Sequence, residues 1–372
     1  MFQSGVSSGS FTRCTFTDNR DVGGDGGVVN DLNPFLGLAE GGAIHNDVSL
    51  TLQNCVFTGN EAIAGNGGSG GNGGAGFYVI DLGGGGAIFN HPQAIAVLGI
   101  DGCTFTDNEA IGGSNGTGGT SGQGNLGFGR GGALLNSGIA TITNSTFDHN
   151  RATGGSGNTG NSRDVLVGTG DGGAIGNGSF FFAAVLTASN LTLSHNQAVG
   201  GDGNTGSTLA GDGIGGGLSD VSQATATVNN STIGHNQAIG GDGVAGGNGA
   251  DGLGGGIANV LGSTLTVSYC TLDSNCAVGG EGEDGGNGLG GGIYNDGRTN
   301  SGVSSLTVTG STITHNKAEG GAPEDGGSAG QGIGGGLFLA DGGIVCIDTT
   351  TVVKKNHAST RNDDIFGTYT TC

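Results

Sequence analysis

A short motif that ends in asparagine recurs nine times along the chain, and this repetition limits the possible folds more than any other feature. The first copy is Phe16-Thr-Asp-Asn19, and later copies follow at intervals of 41, 48, 42, 46, 40, 39, 41 and 40 residues. The copies end at Asn19, Asn60, Asn108, Asn150, Asn196, Asn236, Asn275, Asn316 and Asn356. A second motif, Gly-Gly-Ala-Ile or a close variant, begins at Gly41, Gly85, Gly131, Gly172, Gly215, Gly254, Gly290 and Gly334. Tandem units of this length are typical of solenoids, in which each unit packs against its neighbours.

Short segments of alternating apolar and polar residues predict that the units are built from strands. In Leu306-Thr307-Val308, for example, the apolar residues flank a threonine. A period of two with many β-branched residues is typical of strands buried on one face. Each unit contains three such segments: Gly-Gly-Ala-Ile, Leu-Thr-Val and Ser-Thr-Ile. We therefore predict an all-β, right-handed parallel β-helix of the pectin-lyase type. It would form a single domain over residues 1–372 with about nine repeats of about 40 residues, and residues 357–372 would be its C-terminal cap.

The nine motif asparagines are expected to form a structural ladder. Equivalent strands of neighbouring coils lie about 4.8 Å apart, so the side chains would stack at one corner of the solenoid. Stacked asparagine amides can bridge from coil to coil. Asparagine also tolerates the left-handed backbone conformation, and we expect this conformation at the same corner.

Glycine-rich inserts of about 15 residues carry a second period, of three residues. One of them runs through Gly240, Gly243, Gly246, Gly249 and Gly252. Glycine at every third position lets threefold helices approach closely, as in collagen, although the near absence of proline excludes collagen itself. We predict that the inserts stack beside the β-helix as polyglycine-II-like helices. Flexible surface loops are the alternative that the sequence leaves open.

The composition favours a thin core and an extracellular partner. Of 372 residues, 91 are glycine and 3 are proline, and only 33% are hydrophobic. Ten basic and 31 acidic residues give a net charge of −21. Such a chain has no basic stripe to replace the counterions of a nucleic acid, so no nucleic-acid partner is predicted. It also has no apolar run of 18 residues, so no membrane-spanning segment is predicted.

The start of the chain enters the repeat pattern midway. Residues 1–5, Met1-Phe2-Gln3-Ser4-Gly5, lack the basic and apolar regions of a secretory leader. We therefore expect a fragment or a wrongly assigned start, and we infer export from the composition.

The paired Gly-Gly-Ala-Ile and Phe-x-x-Asn motifs resemble the repeats of bacterial polymorphic outer-membrane proteins. The resemblance extends from about Phe11 to Asn356, although the glycine-rich inserts here are longer and more regular. It implies a β-helical passenger domain at the bacterial cell surface or outside the cell. Such domains are commonly adhesins, so it also implies surface glycans or proteins of a host or matrix as partners.

We predict a non-catalytic secreted or cell-surface protein that acts in adhesion or structural assembly, with end-to-end association into filaments as its self-interaction. A polysaccharide lyase or hydrolase is one alternative. Such an enzyme needs convergent carboxylates, whereas Glu61, Glu109, Asp148 and Asp273 occupy different units at unlike positions. No catalytic residue and no organic cofactor are therefore predicted.

An ice-binding protein is the second alternative, because threonine recurs at one outward position of the third strand. The predicted array comprises Thr15, Thr104, Thr146, Thr192, Thr232, Thr271 and Thr312. A flat threonine array on a β-helix resembles the ice-binding faces of antifreeze proteins. Threonine is also simply common on the outer face of strands, which is the plainer interpretation.

Two patterns suggest metal ions. Residues 246–254 match the calcium nonapeptide of repeats-in-toxin proteins and make Asp251 a candidate calcium ligand. His149, His195, His235 and His315 share the position before the ladder asparagine, where stacked imidazoles can bind a transition metal. Exposed corner residues without a metal are the alternative interpretation of these histidines.

Cys14, Cys55, Cys103 and Cys270 share one repeat position and are expected to point inward. Cysteine in such a position behaves as a small buried apolar residue. We predict free thiols there, with disulfides between stacked neighbours as the alternative.

Overall fold

The computed structural model describes residues 2–3, 8–29, 33–71, 77–91, 97–120, 123–178, 184–207, 209–299, 301–324 and 326–372. Within these residues the chain forms strands and turns but no helix, and none of them crosses a membrane as a long apolar helix. The strands build six sheets in which every neighbouring pair is parallel, together with one antiparallel pair. The predicted parallel β-helix is confirmed.

Sheets 1 and 2 contain the first two predicted strands of each unit. Sheet 1 comprises Phe2–Gln3, Ile44–Asn46, Ile88–Asn90, Leu134–Asn136, Ile175–Asn177, Leu218–Asp220, Ile257–Asn259, Ile293–Asn295, Leu337–Leu339 and Ile365–Phe366. Sheet 2 comprises Ser8–Thr12, Ser49–Gln53, Val97–Asp101, Ile139–Thr143, Val185–Ser189, Thr225–Asn229, Thr264–Ser268, Ser305–Thr309, Ile344–Ile347 and Thr370–Thr371.

Sheets 3 and 4 lie on either side of the motif asparagines. Sheet 3 comprises Thr15–Thr17, Val56–Thr58, Thr104–Thr106, Thr146–Asp148, Thr192–Ser194, Thr232–Gly234, Thr271–Asp273, Thr312–Thr314 and Val352–Lys354. Sheet 4 comprises Arg20–Val22, Glu61–Ile63, Glu109–Ile111, Arg151–Thr153, Gln197–Val199, Gln237–Ile239, Cys276–Val278, Lys317–Glu319 and His357–Ala358.

Sheets 5 and 6 lie on the returning arms of the glycine-rich inserts. Sheet 5 comprises Phe35–Leu36, Phe77–Ile80, Gln123–Leu126, Leu166–Val167 and Leu209–Ala210. Sheet 6 comprises Ala39–Glu40, Gly83–Gly84, Gly129–Arg130, Gly170–Asp171, Gly213–Ile214, Gly252–Leu253, Gly288–Leu289 and Gly332–Ile333. The antiparallel pair is Arg298–Thr299 with Gly302–Val303.

The prediction of three strands per unit was too low. Sheets 1 to 3 match the predicted segments, but sheets 4 to 6 had been assigned to the inserts. A strand such as Glu109–Ile111 buries only its central alanine, and Gly288–Leu289 has two residues. Segments this short show no alternation, and only pairing with the adjacent coils makes them strands.

The main core runs along the solenoid between sheets 1, 2 and 3. Within it, the Phe16, Phe57, Phe105 and Phe147 rings stack at centroid distances of 4.6, 4.7 and 4.5 Å. Smaller apolar clusters, one of them around Phe128, lie beside sheets 5 and 6. Each coil therefore contributes a thin slice of one continuous core, as the composition predicts.

The outgoing glycine-rich tracts are hydrogen-bonded with a three-residue spacing. Gly154, Gly157 and Gly160 each donate an N–H to a carbonyl of the next coil at 2.8 Å, whereas Gly155 donates to the returning-arm carbonyl of Gly127 at 2.7 Å. Donors to the next coil recur three residues apart at Gly23 and Gly26, Ala64, Gly67 and Gly70, Gly112, Asn115 and Gly118, Gly200 and Gly203, Gly240 and Gly243, and Gly279 and Gly282. Amides that turn to different neighbours every third residue suit threefold helices rather than flexible loops.

The Gly-Gly pair before each sheet 1 strand leaves no room for a side chain. Gly172 has a φ of +68°, and a Cβ there would lie 2.3 Å from the carbonyl oxygen of Ile175. We expect Gly172→Ala to lower the free energy of unfolding by about 3 kcal/mol, because backbone strain and overcrowding add. Denaturant unfolding monitored by circular dichroism measures the change. Gly99→Ala is the control, since its Cβ meets nothing closer than 3.8 Å, and an equal loss there would contradict the explanation.

The C-terminal residues close the solenoid. Ile365–Phe366 extends sheet 1 and Thr370–Thr371 extends sheet 2. Asp364 Oδ1 accepts hydrogen bonds from the backbone N–H and the side-chain amide of Asn356 at 3.1 and 3.0 Å. A disulfide joins Cys346 to Cys372, a pairing that the sequence alone did not indicate.

Candidate functional site

The nine motif asparagines form a continuous hydrogen-bonded column. Each side-chain amide from Asn19 to Asn316 donates to the Oδ1 of the next asparagine at 2.8–2.9 Å. The expected left-handed conformation lies one residue earlier, for example at His149 with a φ of +55°. That corner position is solvent-exposed in several coils, and this explains why aspartate, serine, histidine, glycine and lysine all occupy it.

A second buried column, which the sequence analysis missed, runs along sheet 1. Its members are Asn46, Asn90, Asn136, Asn177, Asp220, Asn259 and Asn295. The amides donate to the next Oδ1 at 2.7–2.8 Å except across the step from Asp220 to Asn259. The signal was present in the sequence, two residues after each Gly-Gly-Ala-Ile motif.

The step from Asp220 to Asn259 places two acceptors together. Asn177 donates to Asp220 Oδ1 at 2.7 Å, whereas Asp220 Oδ2 and Asn259 Oδ1 are buried and have no donor among the described residues. A proton on Oδ2 turns this step into a hydrogen bond. Burial raises the pKa of Asp220 well above its usual value, even though the Asn177 hydrogen bond lowers it. Asp220 is therefore a neutral acid in the folded protein.

The predicted threonine array lies at the first position of sheet 3. Thr104, Thr146, Thr192, Thr232, Thr271 and Thr312 are adjacent and in register through consecutive coils. Val56 separates Thr15 from the rest. Two residues further along the strands, Asp148, Gly234 and Asp273 replace threonine. Sheet 3 consequently carries one threonine column rather than a broad threonine surface.

A broader hydroxyl-rich surface lies on sheet 2, and we call it the sheet 2 face. It consists of the outward-facing side chains of five strands, Ile139, Thr141, Thr143, Val185, Thr187, Ser189, Thr225, Thr227, Asn229, Thr264, Thr266, Ser268, Ser305, Thr307 and Thr309. None of these side chains carries a charge. At about 3.3 Å per residue and 4.8 Å per strand, the face measures roughly 13 by 19 Å.

Charged residues lie at both ends of the sheet 2 face. Asp101 is in the strand before it and accepts hydrogen bonds from Thr143 and Asn144 at 2.7 and 2.8 Å, which lower the pKa of Asp101. Asp348 follows it, and hydrogen bonds led by the one from Thr350 lower the pKa of Asp348 to about 2. Both acids are therefore ionised at neutral pH, and the uncharged face is bounded by negative charge.

Three of the four predicted histidines stack at the exposed corner. The ring centroids of His149 and His195 lie 4.8 Å apart, and those of His195 and His235 lie 5.1 Å apart. Asp148 contacts Nδ1 of His149 and of His195 at 2.8 and 3.1 Å. His315 contacts another aspartate at 2.8 Å. The stack is half exposed, and metal binding there stays a prediction.

Asp251, the predicted calcium ligand, belongs to a third column. Its backbone N–H donates to Asp212 Oδ1 at 3.0 Å, and its own Oδ1 accepts from the backbone and side chain of Asn287 at 2.6 and 3.1 Å. Burial, and then the nearby Asp251 carboxylate, raise the pKa of Asp212 well above its usual value. These contacts give Asp251 a structural position in the stack, and calcium binding there stays a prediction.

The acids considered for the enzyme alternative do not converge. Glu61 and Glu109 are neighbours in sheet 4, where Glu61 pairs with Arg20 at 2.9 Å and Glu109 with Arg151 at 3.6 Å. The aspartates considered with them lie in sheet 3, beside the histidines. Of the cavities in the described part of the chain, one of about 380 Å³ is lined by Glu40, and burial raises the pKa of Glu40 to about 7.

The inward cysteines are free thiols, as predicted. Cys55, Cys103 and Cys270 are buried, and Cys14 is half-buried. The Sγ of Cys55 lies 3.4 Å from the backbone N–H of Cys14, and that of Cys103 lies 3.3 Å from the N–H of Cys55. Serine hydroxyls take this acceptor position in other coils, as Ser145 does for Cys103.

The comparisons with known proteins leave the family open. No family model matches the chain, and no curated protein matches it. Among solved structures, a hyperglycosylated fragment of TibA aligns over 97% of this chain and 97% of its own, with 9% identity and a TM-score of 0.12. A similarity this low carries no argument. What stands of the sequence resemblance is the parallel β-helix itself.

Proposed function

We propose that this protein is a non-catalytic extracellular or cell-surface rod that adheres through the sheet 2 face to a neutral, repeating polar surface such as a matrix or host glycan. The observation that carries the proposal is the absence of charge across five consecutive strands of the described sheet 2, in a chain with a net charge of −21. An uncharged face bounded by acids favours a neutral ligand over an anionic one.

The chemistry of the face suits carbohydrate. Each threonine offers a hydroxyl that both donates and accepts, next to a methyl group. Sugars present the same mixture of hydroxyl and C–H surface. Because the threonines stand on paired strands, little conformational entropy is lost on binding. A regular row of weak contacts also matches a polymer, since linked sites raise the overall affinity.

The location outside the cell is supported by cysteine chemistry. The Cys346–Cys372 disulfide is of a kind that persists in oxidising compartments. The buried positions of Cys55, Cys103 and Cys270 keep their thiols away from oxidants. A bacterial source and end-to-end filaments remain predictions from the sequence, and negative-stain electron microscopy of the purified chain tests for filaments.

A charge in the middle of the sheet 2 face tests the proposal. We expect Thr227→Glu to lower the affinity for a neutral insoluble polysaccharide such as cellulose, chitin or xylan by more than tenfold, because an unpaired carboxylate must be desolvated on binding. Co-sedimentation with each polysaccharide measures the affinity. Thr232→Glu is the matched control, since it adds the same charge to the same coil on sheet 3. Equal losses in both variants, or no binding by the unmodified chain, would refute glycan adhesion.

Ice binding is the second candidate, and it is favoured by one specific observation. Thr141, Thr187, Thr227, Thr266 and Thr307 form an unbroken column along the middle of the sheet 2 face. Ice binding predicts thermal hysteresis and faceted ice crystals that Thr227→Glu abolishes. Ordinary freezing with the unmodified protein would leave glycan adhesion as the only use of the face.

A further inference from the structure

A cluster of two histidines and one aspartate lies where sheet 1 ends in the first two complete coils. The strand Ile44–Asn46 pairs in parallel with Ile88–Asn90. Asp47 follows the first strand and His91 follows the second, so they occupy the same position in consecutive coils. His45 points outward from the first strand, on the same side. None of these three residues was singled out from the sequence.

The distances match those between the ligands of one ion. Asp47 Oδ1 lies 3.2 Å from His45 Nε2 and 3.5 Å from His91 Nδ1. Two ligands of a tetrahedral zinc ion, each bonded at about 2.0–2.2 Å, lie about 3.3 Å apart. One ligand atom from each of the three residues lies within 4.8 Å of the other two.

The environment suits coordination. His91 Nδ1 is buried and receives no hydrogen bond from any described residue. Burial, partly opposed by Asp47, lowers the pKa of His91, so its ring is neutral at pH 7. The neutral imidazole is the form that binds metals. The side chains of His45, Asp47 and His91 are 16%, 13% and 32% exposed, which leaves one side open for a water ligand.

A further carboxylate lies behind His45. Glu40 Oε2 is 3.7 Å from His45 Nδ1, on the opposite side of the ring from the nitrogen that faces Asp47. The backbone N–H of Glu40 is itself held by Asp21 Oδ2 at 2.7 Å. Metal-binding histidines typically direct their second nitrogen to a carboxylate in this way, which fixes the ring orientation.

The cluster is not a by-product of the repeat. In later coils the position of His45 is occupied by Phe89, Leu135, Gly176, Ser219, Ala258, Tyr294 and Phe338. The position of Asp47 and His91 is occupied by Ser137, Gly178, Val221, Val260 and Asp296. The metal-binding residue types meet only here among the described coils.

We propose that His45, Asp47 and His91 form a transition-metal site that takes Zn²⁺ with a water as fourth ligand. The ion joins the first complete coil to the second, since each contributes a histidine. The two carboxylates near His45 make the site negative before the ion binds, and the divalent charge offsets this. The proposal does not depend on the sheet 2 face.

Zinc binding to the full chain tests the proposal. After exhaustive chelation and dialysis, we expect one tightly bound Zn²⁺ per chain by isothermal titration calorimetry, together with a rise in melting temperature. His91→Ala and His91→Gln should each weaken binding at least tenfold and remove the thermal shift. Both side chains lie at the surface edge, and circular dichroism confirms that the variants fold.

His195→Ala is the control, because His195 belongs to the exposed cluster with Asp148 and His149. It should keep the tight site, and Co²⁺ in place of Zn²⁺ should give the visible spectrum of a four-coordinate ion. Absence of stoichiometric binding would overturn the proposal. So would loss of binding in His195→Ala while both His91 variants keep it.

Discussion

Replacing Asp220 with asparagine is expected to stabilise the protein at neutral pH, and to stabilise it more as the pH rises. Asparagine restores the donor that the sheet 1 column lacks between Asp220 and Asn259. It also removes an acid that must hold a proton in the folded state. Each pH unit between the pKa values of the unfolded and folded states costs about 1.4 kcal/mol.

The sign follows from which state binds the proton. In the unfolded chain Asp220 has its ordinary pKa of 3.8, and in the folded chain burial holds the pKa well above this value. Below pH 3.8 both states are protonated and the acid does not affect the pH dependence. As the pH rises further, only the unfolded state releases its proton, so the free energy of unfolding falls until the pH reaches the folded pKa.

Urea unfolding at pH 5, 6 and 7 measures the effect as the difference between the parent chain and Asp220→Asn. The difference should grow by about 1.4 kcal/mol per pH unit. Asn177→Asp, one rung earlier in the same column, is the matched variant and should show the opposite trend. A pH-independent difference would mean that Asp220 is ionised in the folded protein.

Replacing Asn236 with alanine is expected to lower the free energy of unfolding by about 4 kcal/mol. Asn236 Oδ1 accepts from both the backbone and the side chain of Asn196, at 3.0 and 2.9 Å. Its amide donates to Leu193 and to Asn275, each at 2.9 Å. The substitution leaves one buried backbone N–H without an acceptor and removes three further hydrogen bonds, each with a cost of about 1 kcal/mol or more.

Asn19→Ala is the control for this prediction. Asn19 occupies the same position in the first coil, but it is exposed and donates without accepting from another asparagine. Its loss should cost less than about 1 kcal/mol. Urea unfolding of both variants measures the comparison, and similar losses would show that burial of the column is not what makes it stabilising.

The fold was predictable because its signals repeat. The asparagine motif and the Gly-Gly pair recur in unit after unit, and each identifies a position that only certain residues can fill. Gly172 shows why, since its left-handed backbone has no space for a Cβ. The period alone gave the solenoid, the asparagine column and the inward cysteines.

What occurs once was not predictable from the sequence. His45 and His91 come together only because their coils stack, and no repeat marks the pair. Cys346 and Cys372 likewise meet through the fold of the C-terminal cap. The sheet 2 face was overlooked for a different reason. Its Thr141 and Thr307 were visible as outward residues, but the absence of charge around them emerges only once five strands lie side by side.

The asparagine column also has a direction. From Asn19 to Asn356 every side-chain amide donates toward the following coil and accepts from the preceding one. Chains of aligned hydrogen bonds polarise one another, so the rod carries an electric dipole along its length, with donors directed toward the C-terminal end. The carboxylate of Asp364 accepts from the last amide. The solenoid is thus completed by a negative charge at its positive pole, as an α-helix is by an acid at its N-terminus.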